Sequence, residues 1–313
     1  MATILVTGGA GFIGSVAVKT LLSNGYSVVV VDNLSKGKKD LVDSKAKFYE
    51  LDLVDDLSKV FEENKIDAVI HFAAYKAVEE SMENAVKYSS NITGTINLLN
   101  RMVEHNVKKI IFSSSAAVYG EEKGVISEDN ETNPCNYYGF TKLECEKIIE
   151  WYGKVYGIGY VSLRYFNVAG DGGLKYMDPD AKNIFPIIME VLVGKREKVV
   201  VFGNDYDTRD GTCIRDYIDV TDLVKAHILA LDVDYNGVIN LGTSKGVSVK
   251  ELVDWTSEVI GKQVPFEYGD RRAGDPPTLI ASNEKALKVL NWKPERSVKD
   301  MIKSTYDAYK QRV

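Results

Sequence analysis

The sequence predicts an α/β fold: a doubly wound parallel sheet with a smaller α/β lobe interleaved toward the C-terminus. Three observations carry this. Short β-branched runs alternate with longer amphipathic stretches throughout the first half. Most of those runs are dense in Val, Ile, Leu or Phe without strict alternation, as strands covered on both faces should be. A glycine-rich turn then separates the first run from the first amphipathic stretch.

Taken in order, Thr3–Thr7, Tyr26–Val31, Lys47–Leu51, Ala68–Phe72 and Lys109–Ser113 read as strands. Between and after them, Phe12–Asn24, Leu53–Asn64, Met82–His105 and Asn136–Tyr156 carry helical spacing. Beyond Tyr165 the regularity fades. Gly170-Asp171-Gly172-Gly173 and Asp178-Pro179-Asp180 mark a loop, and a helical stretch follows near Ile184–Val193. Tyr217–Val220 and Val238–Leu241 again look like strands, so a return to the sheet is expected near 216–241. The expected division is a Rossmann-type domain over 1–165 and a mainly substrate-binding lobe over 166–313, interleaved rather than strung together. No internal repeat or low-complexity tract interrupts it.

The chain has 313 residues, enough to bury a core and form two lobes. Apolar residues make up 45% and charged residues 27%, the balance of an ordinary globular protein. A net charge of -6 argues against a general nucleic-acid binder, although a local basic pocket can still hold an anion. No apolar run approaches the ~18 residues of a membrane span. Met1–Val6 enters apolar sequence without a basic region or cleavage-type spacer. Cys135, Cys145 and Cys213 are odd in number and lack metal-ligand spacing, and His71, His105 and His227 are scattered. A cytoplasmic location and no metal site are therefore expected.

Gly8-Gly9-Ala10-Gly11-Phe12-Ile13-Gly14 lies between the first strand and first helix. Glycines at 8, 11 and 14 permit a tight turn, close approach of backbone N–H groups to a pyrophosphate, and close helix packing. A glycine triplet alone also suits a purely structural turn. Asp32 at the end of the second strand shifts the balance, because a carboxylate there accepts from adenosine ribose hydroxyls and repels a 2′-phosphate. NAD is therefore expected rather than NADP. Lys36, Lys38 and Lys39 follow closely and read as a solvated basic loop.

Tyr138 and Lys142 are four residues apart near a helix start and share a face. A nearby ammonium is expected to lower the tyrosine pKa and yield an acid/base usable at neutral pH. The spacing recurs at Tyr119/Lys123 and Tyr306/Lys310, where it reads as chance. Tyr138 differs in its neighbourhood: a strand ending in Ser113-Ser114-Ser115 lies a short loop upstream and can bring a hydroxyl to the same sugar oxygen.

The glycine fingerprint, the serine after the fifth strand and the Tyr-x-x-x-Lys helix resemble the extended short-chain dehydrogenase/reductases. More specifically, the chain resembles the UDP-galactose/UDP-glucose 4-epimerase family over nearly its full length. The resemblance runs through Val31-Asp32-Asn33-Leu34, His71–Val78, Phe112–Gly120, Arg164-Tyr165-Phe166-Asn167, Phe202–Thr212 and Arg215-Asp216-Tyr217. It implies an NAD-dependent isomerase of galactose metabolism acting on a UDP-hexose through a transient 4-keto sugar, and a homodimer. NAD would meet Gly8, Gly11, Phe12, Ile13, Gly14, Asp32, Asn33, Leu34, Ser35, Lys36 and Gly37. It would also meet Asp52, Leu53, Phe72, Ala73, Ala74, Tyr75, Lys76, Asn91, Tyr138, Lys142 and Phe166. The nucleotide sugar would meet Lys76, Ser115, Tyr138, Asn167, Asn183, Phe202, Arg215, Arg272, Asp275 and Leu279. Tyr138, Lys142 and Ser115 would be catalytic. Two arginines suit a diphosphate through charge-assisted bonds, although an isolated arginine is more often a surface ion pair.

Three positions depart from the family pattern: Ala117 stands where Thr is frequent, Val16 replaces a common His, and Asp219 follows Arg-Asp-Tyr-Ile in place of His. Ala117 removes a possible second hydroxyl near the sugar. A 4,6-dehydratase is disfavoured because Ala116-Ala117 stand where that family has Asp-Glu, so its general acid is missing. The alternatives that stay open are another NAD-dependent nucleotide-sugar epimerase or decarboxylase, and a catalytically inactive NAD-binding sensor. Sensors usually lose the tyrosine or the lysine; both are present here.

Overall fold

The computed structural model describes residues 1–177, 181–272 and 275–311; the Asp178-Pro179-Asp180 turn lies outside the described residues. The first half comprises β1 (Thr3–Thr7), α1 (Phe12–Ser23), β2 (Ser27–Asp32), β3 (Lys47–Glu50), α2 (Ser58–Glu62), β4 (Ala68–His71) and α3 (Val78–Glu83). It continues through α4 (Ala85–Glu104), β5 (Lys109–Ser113), β6 (Gly124–Ile126), α5 (Tyr137–Tyr156) and β7 (Gly159–Tyr165). Next come β8 (Asn167–Ala169), α6 (Ile184–Leu192), β9 (Val199–Phe202), β10 (Ile214–Asp219), α7 (Val220–Leu229) and β11 (Gly237–Leu241). The chain closes with β12 (Gly246–Ser248), α8 (Val249–Ile260), β13 (Phe266–Gly269), β14 (Thr278–Ala281), α9 (Glu284–Leu290) and α10 (Val298–Lys310).

The main sheet has seven strands in the order β11-β7-β5-β4-β1-β2-β3, and every pairing is parallel. This is the doubly wound sheet the sequence predicts. Strands covered on both faces need two apolar layers, and the core divides accordingly. Val6, Val30 and Ile70 pack toward one cluster with Val18 of α1 and Leu223 of α7. Leu5, Val29 and Val69 face another with Leu98 of α4 and Ile149 of α5. The order reverses between β1 and β4. The crevice beyond their carboxyl ends is where such sheets hold ligands.

A second sheet runs β12-β10-β14-β6, with β8 also on β10, and β9 pairs with β13. Its core gathers Phe185, Ile188, Leu252, Val264 and Met301. Of the two late strands read in the sequence, 237–241 joins the main sheet, whereas Tyr217–Asp219 lies in the second sheet. Val220 begins α7 instead of extending the strand. Asp219 explains the stop: its carboxylate accepts the Thr221 N–H at 2.8 Å and caps the helix.

Two helices differ from expectation for the same reason, short polar side chains capturing backbone groups. The stretch 53–64 contracts to α2 because Asp52 accepts the Val54 N–H at 3.1 Å and Asp56 accepts the Ser58 N–H at 2.9 Å. The stretch 82–105 is broken at Asn84, whose side chain accepts the Lys87 N–H at 3.1 Å and starts α4 anew. Among the described residues, no helix is long and apolar enough to cross a membrane.

Candidate active site

The glycine turn follows β1 and faces the loop that follows β4. Gly8 has φ +71°, and a Cβ there would stand 2.7 Å from the Ala73 nitrogen. A Cβ on Gly14 would stand 2.1 Å from the Gly8 carbonyl oxygen. Neither position accepts a side chain without backbone movement, so the cradle is a backbone surface. Gly11 is the N-cap of α1 and offers no side chain to its first-turn N–H groups. Phe12 and Ile13 open that helix.

Asp32 is buried at the end of β2. Its carboxylate accepts the N–H groups of Ala10 at 3.0 Å and Leu34 at 2.8 Å, tying the glycine turn to the segment after β2. Burial raises its pKa above the usual carboxylate value, partly offset by those two donors. Gly37 packs against it, since a Cβ there would approach Asp32 Oδ1 to 2.8 Å. Asn33 donates to Asp52 at 2.6 Å and accepts the Ser35 N–H at 3.0 Å. The Lys36 side chain is exposed. The Lys39 ammonium lies over the Phe48 ring at 5.1 Å from its centre.

Across the crevice, Phe72, Ala73, Ala74, Tyr75 and Lys76 form the loop after β4. Asn91 holds it from behind, accepting the Tyr75 N–H at 2.9 Å and donating to its carbonyl at 3.0 Å. Leu53 packs its side chain into the core. Lys76 is exposed, and Phe72 packs against the His227 ring at 4.8 Å. His71 bridges the Thr7 and Thr95 hydroxyls at 2.7 and 3.0 Å. Burial first, and the Lys142 charge second, hold its pKa down to about 3, so it is a neutral brace between β1, β4 and α4.

Asn136 caps α5 by accepting the Gly139 N–H at 2.8 Å. Gly139 lets the helix start sit against the turn 116–119, because a Cβ there would meet the Ala117 oxygen at 2.4 Å. Tyr138 and Lys142 then project one helical turn apart. Lys142 is buried and donates to the Ser113 carbonyl at 2.7 Å. Burial lowers its pKa to about 8, against the opposing influence of Cys145 and Glu146. The Tyr138 phenol faces the Ser115 hydroxyl, which accepts the Ala117 N–H at 3.1 Å.

One expectation needs correction. The Tyr138 phenol is not depressed in this arrangement. Burial raises the phenol above its ordinary value, and only the Ser115 hydrogen bond opposes that rise. The ammonium is tied to Ser113 and lies 6.0 Å from the Tyr138 ring centre. Elsewhere, the Tyr119 hydroxyl is buried and donates to Asn240 at 2.7 Å, while Tyr306 and Lys310 belong to α10 in the second lobe.

The residues expected to meet the nucleotide sugar come from the second lobe and its seams. Arg215 Nη2 meets Asp275 Oδ1 at 3.0 Å, and Nη1 donates to the Ile214 carbonyl at 2.8 Å. The Arg272 guanidinium lies 4.1 Å from the centre of the Phe202 ring, as a cation–π pair. The Asn167 amide donates to the Asp216 carbonyl at 3.1 Å. Asn183 is exposed at the N-cap position of α6 without a side-chain capping bond. Leu279 pairs in register with Arg215 on one side and Gly124 on the other. Together with Phe166 it packs on the cluster of Val118, Tyr119, Ile126 and Leu143.

Sequence reasoning passed over what lies beneath Tyr138 and Lys142. Glu146 forms a buried ion pair with Arg164 and accepts the Ser114 hydroxyl. Ser113 shares a 2.5 Å hydrogen bond with the Tyr165 hydroxyl. The available signal was the spacing: Glu146 follows Lys142 by four residues on the same helix.

Comparison with known proteins agrees with this geometry. Residues 4–242 match the NAD dependent epimerase/dehydratase family. The chain is similar to a UDP-glucose 4-epimerase of Halalkalibacterium halodurans, 46% identical with 98% of this chain and 96% of the relative covered. A crystal structure of the Bifidobacterium longum UDP-glucose 4-epimerase in complex with NAD+ and UDP superimposes with a TM-score of 0.91 at 40% identity, covering 99% and 98%. The UDP-Glc/GlcNAc 4-epimerase of Campylobacter jejuni gives 0.88 at 39% identity, covering 99% and 100%. With a backbone-built turn at the sheet's switch point, a tyrosine beside a buried lysine near it and similarity along nearly its whole length, the chain belongs to the NAD dependent epimerase/dehydratase family.

Proposed function

We infer that this protein interconverts UDP-glucose and UDP-galactose by epimerisation at the sugar C4, with NAD as its resident cofactor. The observation that carries the reading is the pairing of the Tyr138 phenol with the Ser115 hydroxyl above buried Lys142, beside the crevice between β1 and β4. The cradle fits NAD: Gly8 and Gly14 let the turn pack closely on the loop after β4 and on α1, which leaves the first-turn N–H groups of α1 to a pyrophosphate and the Asp32 carboxylate to an adenosine ribose. What bound NAD supplies is hydride transfer and the positive charge of its nicotinamide ring.

In this reading Tyr138 accepts the proton of the C4 hydroxyl and later returns it to the same oxygen once the sugar has turned over. Its raised pKa makes a nearby positive charge necessary for the phenolate form. Ser115 holds the same oxygen and relays the proton. Lys142 orients the nicotinamide ribose and contributes its charge. Arg215 and Arg272 bind the diphosphate, which leaves the sugar free to turn over as a 4-keto intermediate. Asn167, Asn183, Phe202, Asp275 and Leu279 line the remainder.

The reading also includes a homodimer. Phe140, Trp151 and Val155 lie on one stripe of α5 and are 41%, 63% and 64% exposed, an apolar face suited to the same helix of a second copy. Free Cys135, Cys145 and Cys213 fit a cytoplasmic enzyme.

The test is an absorbance spectrum of the purified protein for bound cofactor, followed by a coupled assay converting UDP-galactose to UDP-glucose. Protein that carries NAD without turning over either sugar would overturn this reading and leave an enzyme of another nucleotide sugar or an inactive sensor.

A further inference from the structure

Three side chains at one-turn intervals along α5 meet three consecutive serines at the end of β5. Tyr138 faces the Ser115 hydroxyl, Lys142 meets the Ser113 carbonyl, and Glu146 the Ser114 hydroxyl. The Ser114 N–H donates to the Leu163 carbonyl of β7 at 2.9 Å. The segment 113–115 is thus held between α5 and β7. Glu146 does not act alone. Its Oε1 also accepts from Arg164 Nε at 2.9 Å, and its Oε2 from Arg164 Nη2 at 2.6 Å. Arg164 comes from β7, and its guanidinium lies 4.8 Å from the Tyr119 ring centre, at the far end of the turn that Ser115 begins. Ser113, Ser114, Tyr119, Lys142, Glu146 and Arg164 are buried, and Ser115 and Tyr138 are half-buried.

A buried ion pair is a poor source of net stability, because its desolvation cost offsets most of the attraction, and apolar replacements are often no less stable. What such a pair does provide is a fixed geometry in two directions at once, through the bidentate fork. Here the fork joins α5 to β7, and Oε1, while accepting from Arg164, also holds the strand end between them.

We propose that Glu146, locked by Arg164, is a positioning residue that fixes the 113–115 segment against α5 and so aims the Ser115 hydroxyl at Tyr138 and the Ser113 carbonyl at Lys142. The role extends Tyr-x-x-x-Lys by one more turn. It rests on the 4-epimerase reading above.

The test compares purified NAD-loaded wild-type, Ser114→Ala, and Glu146→Gln/Arg164→Met enzymes. The Ser114 change removes one hydroxyl and leaves the ion pair. The double change removes both charges, so neither is stranded. Expected is a fall of about tenfold or more in kcat per bound NAD for both variants, the scale of a small misplacement of reacting groups. KM for UDP-galactose should stay within about twofold, because the diphosphate contacts are untouched. A merely structural role would lower melting temperature or NAD content and leave kcat per bound NAD unchanged; that result overturns the proposal. If the double variant does not fold, Ser114→Ala alone decides. Wild-type enzyme without epimerase activity would instead remove the reading on which the proposal rests.

Discussion

The two walls of the site are built in opposite ways. The cofactor side, from Gly8 to Gly37, is made of backbone drawn from one short stretch of chain, and its defining feature is where a Cβ cannot go. The proposed sugar side is made of side chains whose partners stand far apart in sequence, Arg215 with Asp275 and Arg272 with Phe202. A backbone wall binds whatever presents a pyrophosphate and is damaged by adding atoms. A side-chain wall selects and reacts, and is altered by exchanging atoms. Mutations on the two sides should therefore separate cofactor retention from turnover and choice of sugar.

The largest effect expected is on chemistry alone. Tyr138→Phe removes the proton carrier while leaving the buried ring, so turnover should fall at least about a hundredfold. NAD content and UDP binding should be unchanged by absorbance and calorimetry. Near-normal turnover in a folded, NAD-loaded Tyr138→Phe enzyme would show that another group moves the proton.

On the other wall, Gly14→Ala places a methyl 2.1 Å from the Gly8 carbonyl oxygen, which only backbone displacement can relieve. Overpacking of about 1–3 kcal/mol corresponds to NAD held roughly tenfold to a hundredfold less tightly. Turnover per bound NAD should persist when NAD is supplied in excess. Loss of turnover at saturating NAD would break the separation between the walls. Arg215→Ala should act on the sugar side with a milder signature. Losing a charge-assisted bond of about 1.5–3 kcal/mol predicts a KM for UDP-galactose raised by about tenfold or more, and unchanged NAD content. A fall in kcat at constant KM would place Arg215 elsewhere in the reaction.

The same contrast governs what the sequence discloses. The cradle is legible because its requirements are local: glycines at fixed spacing, a strand before, a helix after, an aspartate ending the next strand. The strand β7 is less so, although it lies inside the main sheet beside β5. Its Ser162 and Arg164 are buried, so it lacks the continuous apolar run of its neighbours. Arg164 is tolerated there because Glu146, 18 residues earlier, neutralises it. Local pattern does not reveal such a partner. The breaks at Asn84 and before α2 failed for a related reason, since helical spacing continues across residues whose side chains stop the helix. The Tyr138–Lys142 pair was identified correctly as neighbours on one helix face. The lowered phenol pKa expected from it is not found, because spacing says nothing of how far the surrounding fold withdraws the phenol from water.

The smallest effect expected is on choice of sugar, and it rests on Leu279. This residue lies in β14, level with Arg215, and is half-buried against the cluster that also carries Phe166. It is thus both a packing residue and part of the surface beside the proposed sugar site, and its size should matter in two ways. An acetamido group at the neighbouring sugar carbon adds several heavy atoms to a wall of fixed shape. Overpacking such a wall costs about 1–3 kcal/mol, which slows the N-acetylated substrate by roughly tenfold to a hundredfold without excluding it. Leu279→Ser should open the wall and raise activity on UDP-N-acetylglucosamine relative to UDP-glucose by several-fold, with some loss of melting temperature from the vacated cluster. Leu279→Tyr should close it, abolishing the weaker activity and sparing the main one. Both substrate pairs, assayed across the three enzymes, give the preference ratio directly. If that ratio stays constant while only the melting temperature moves, Leu279 belongs wholly to the packing cluster, and the boundary between the sugar wall and the core lies on the other side of Phe166.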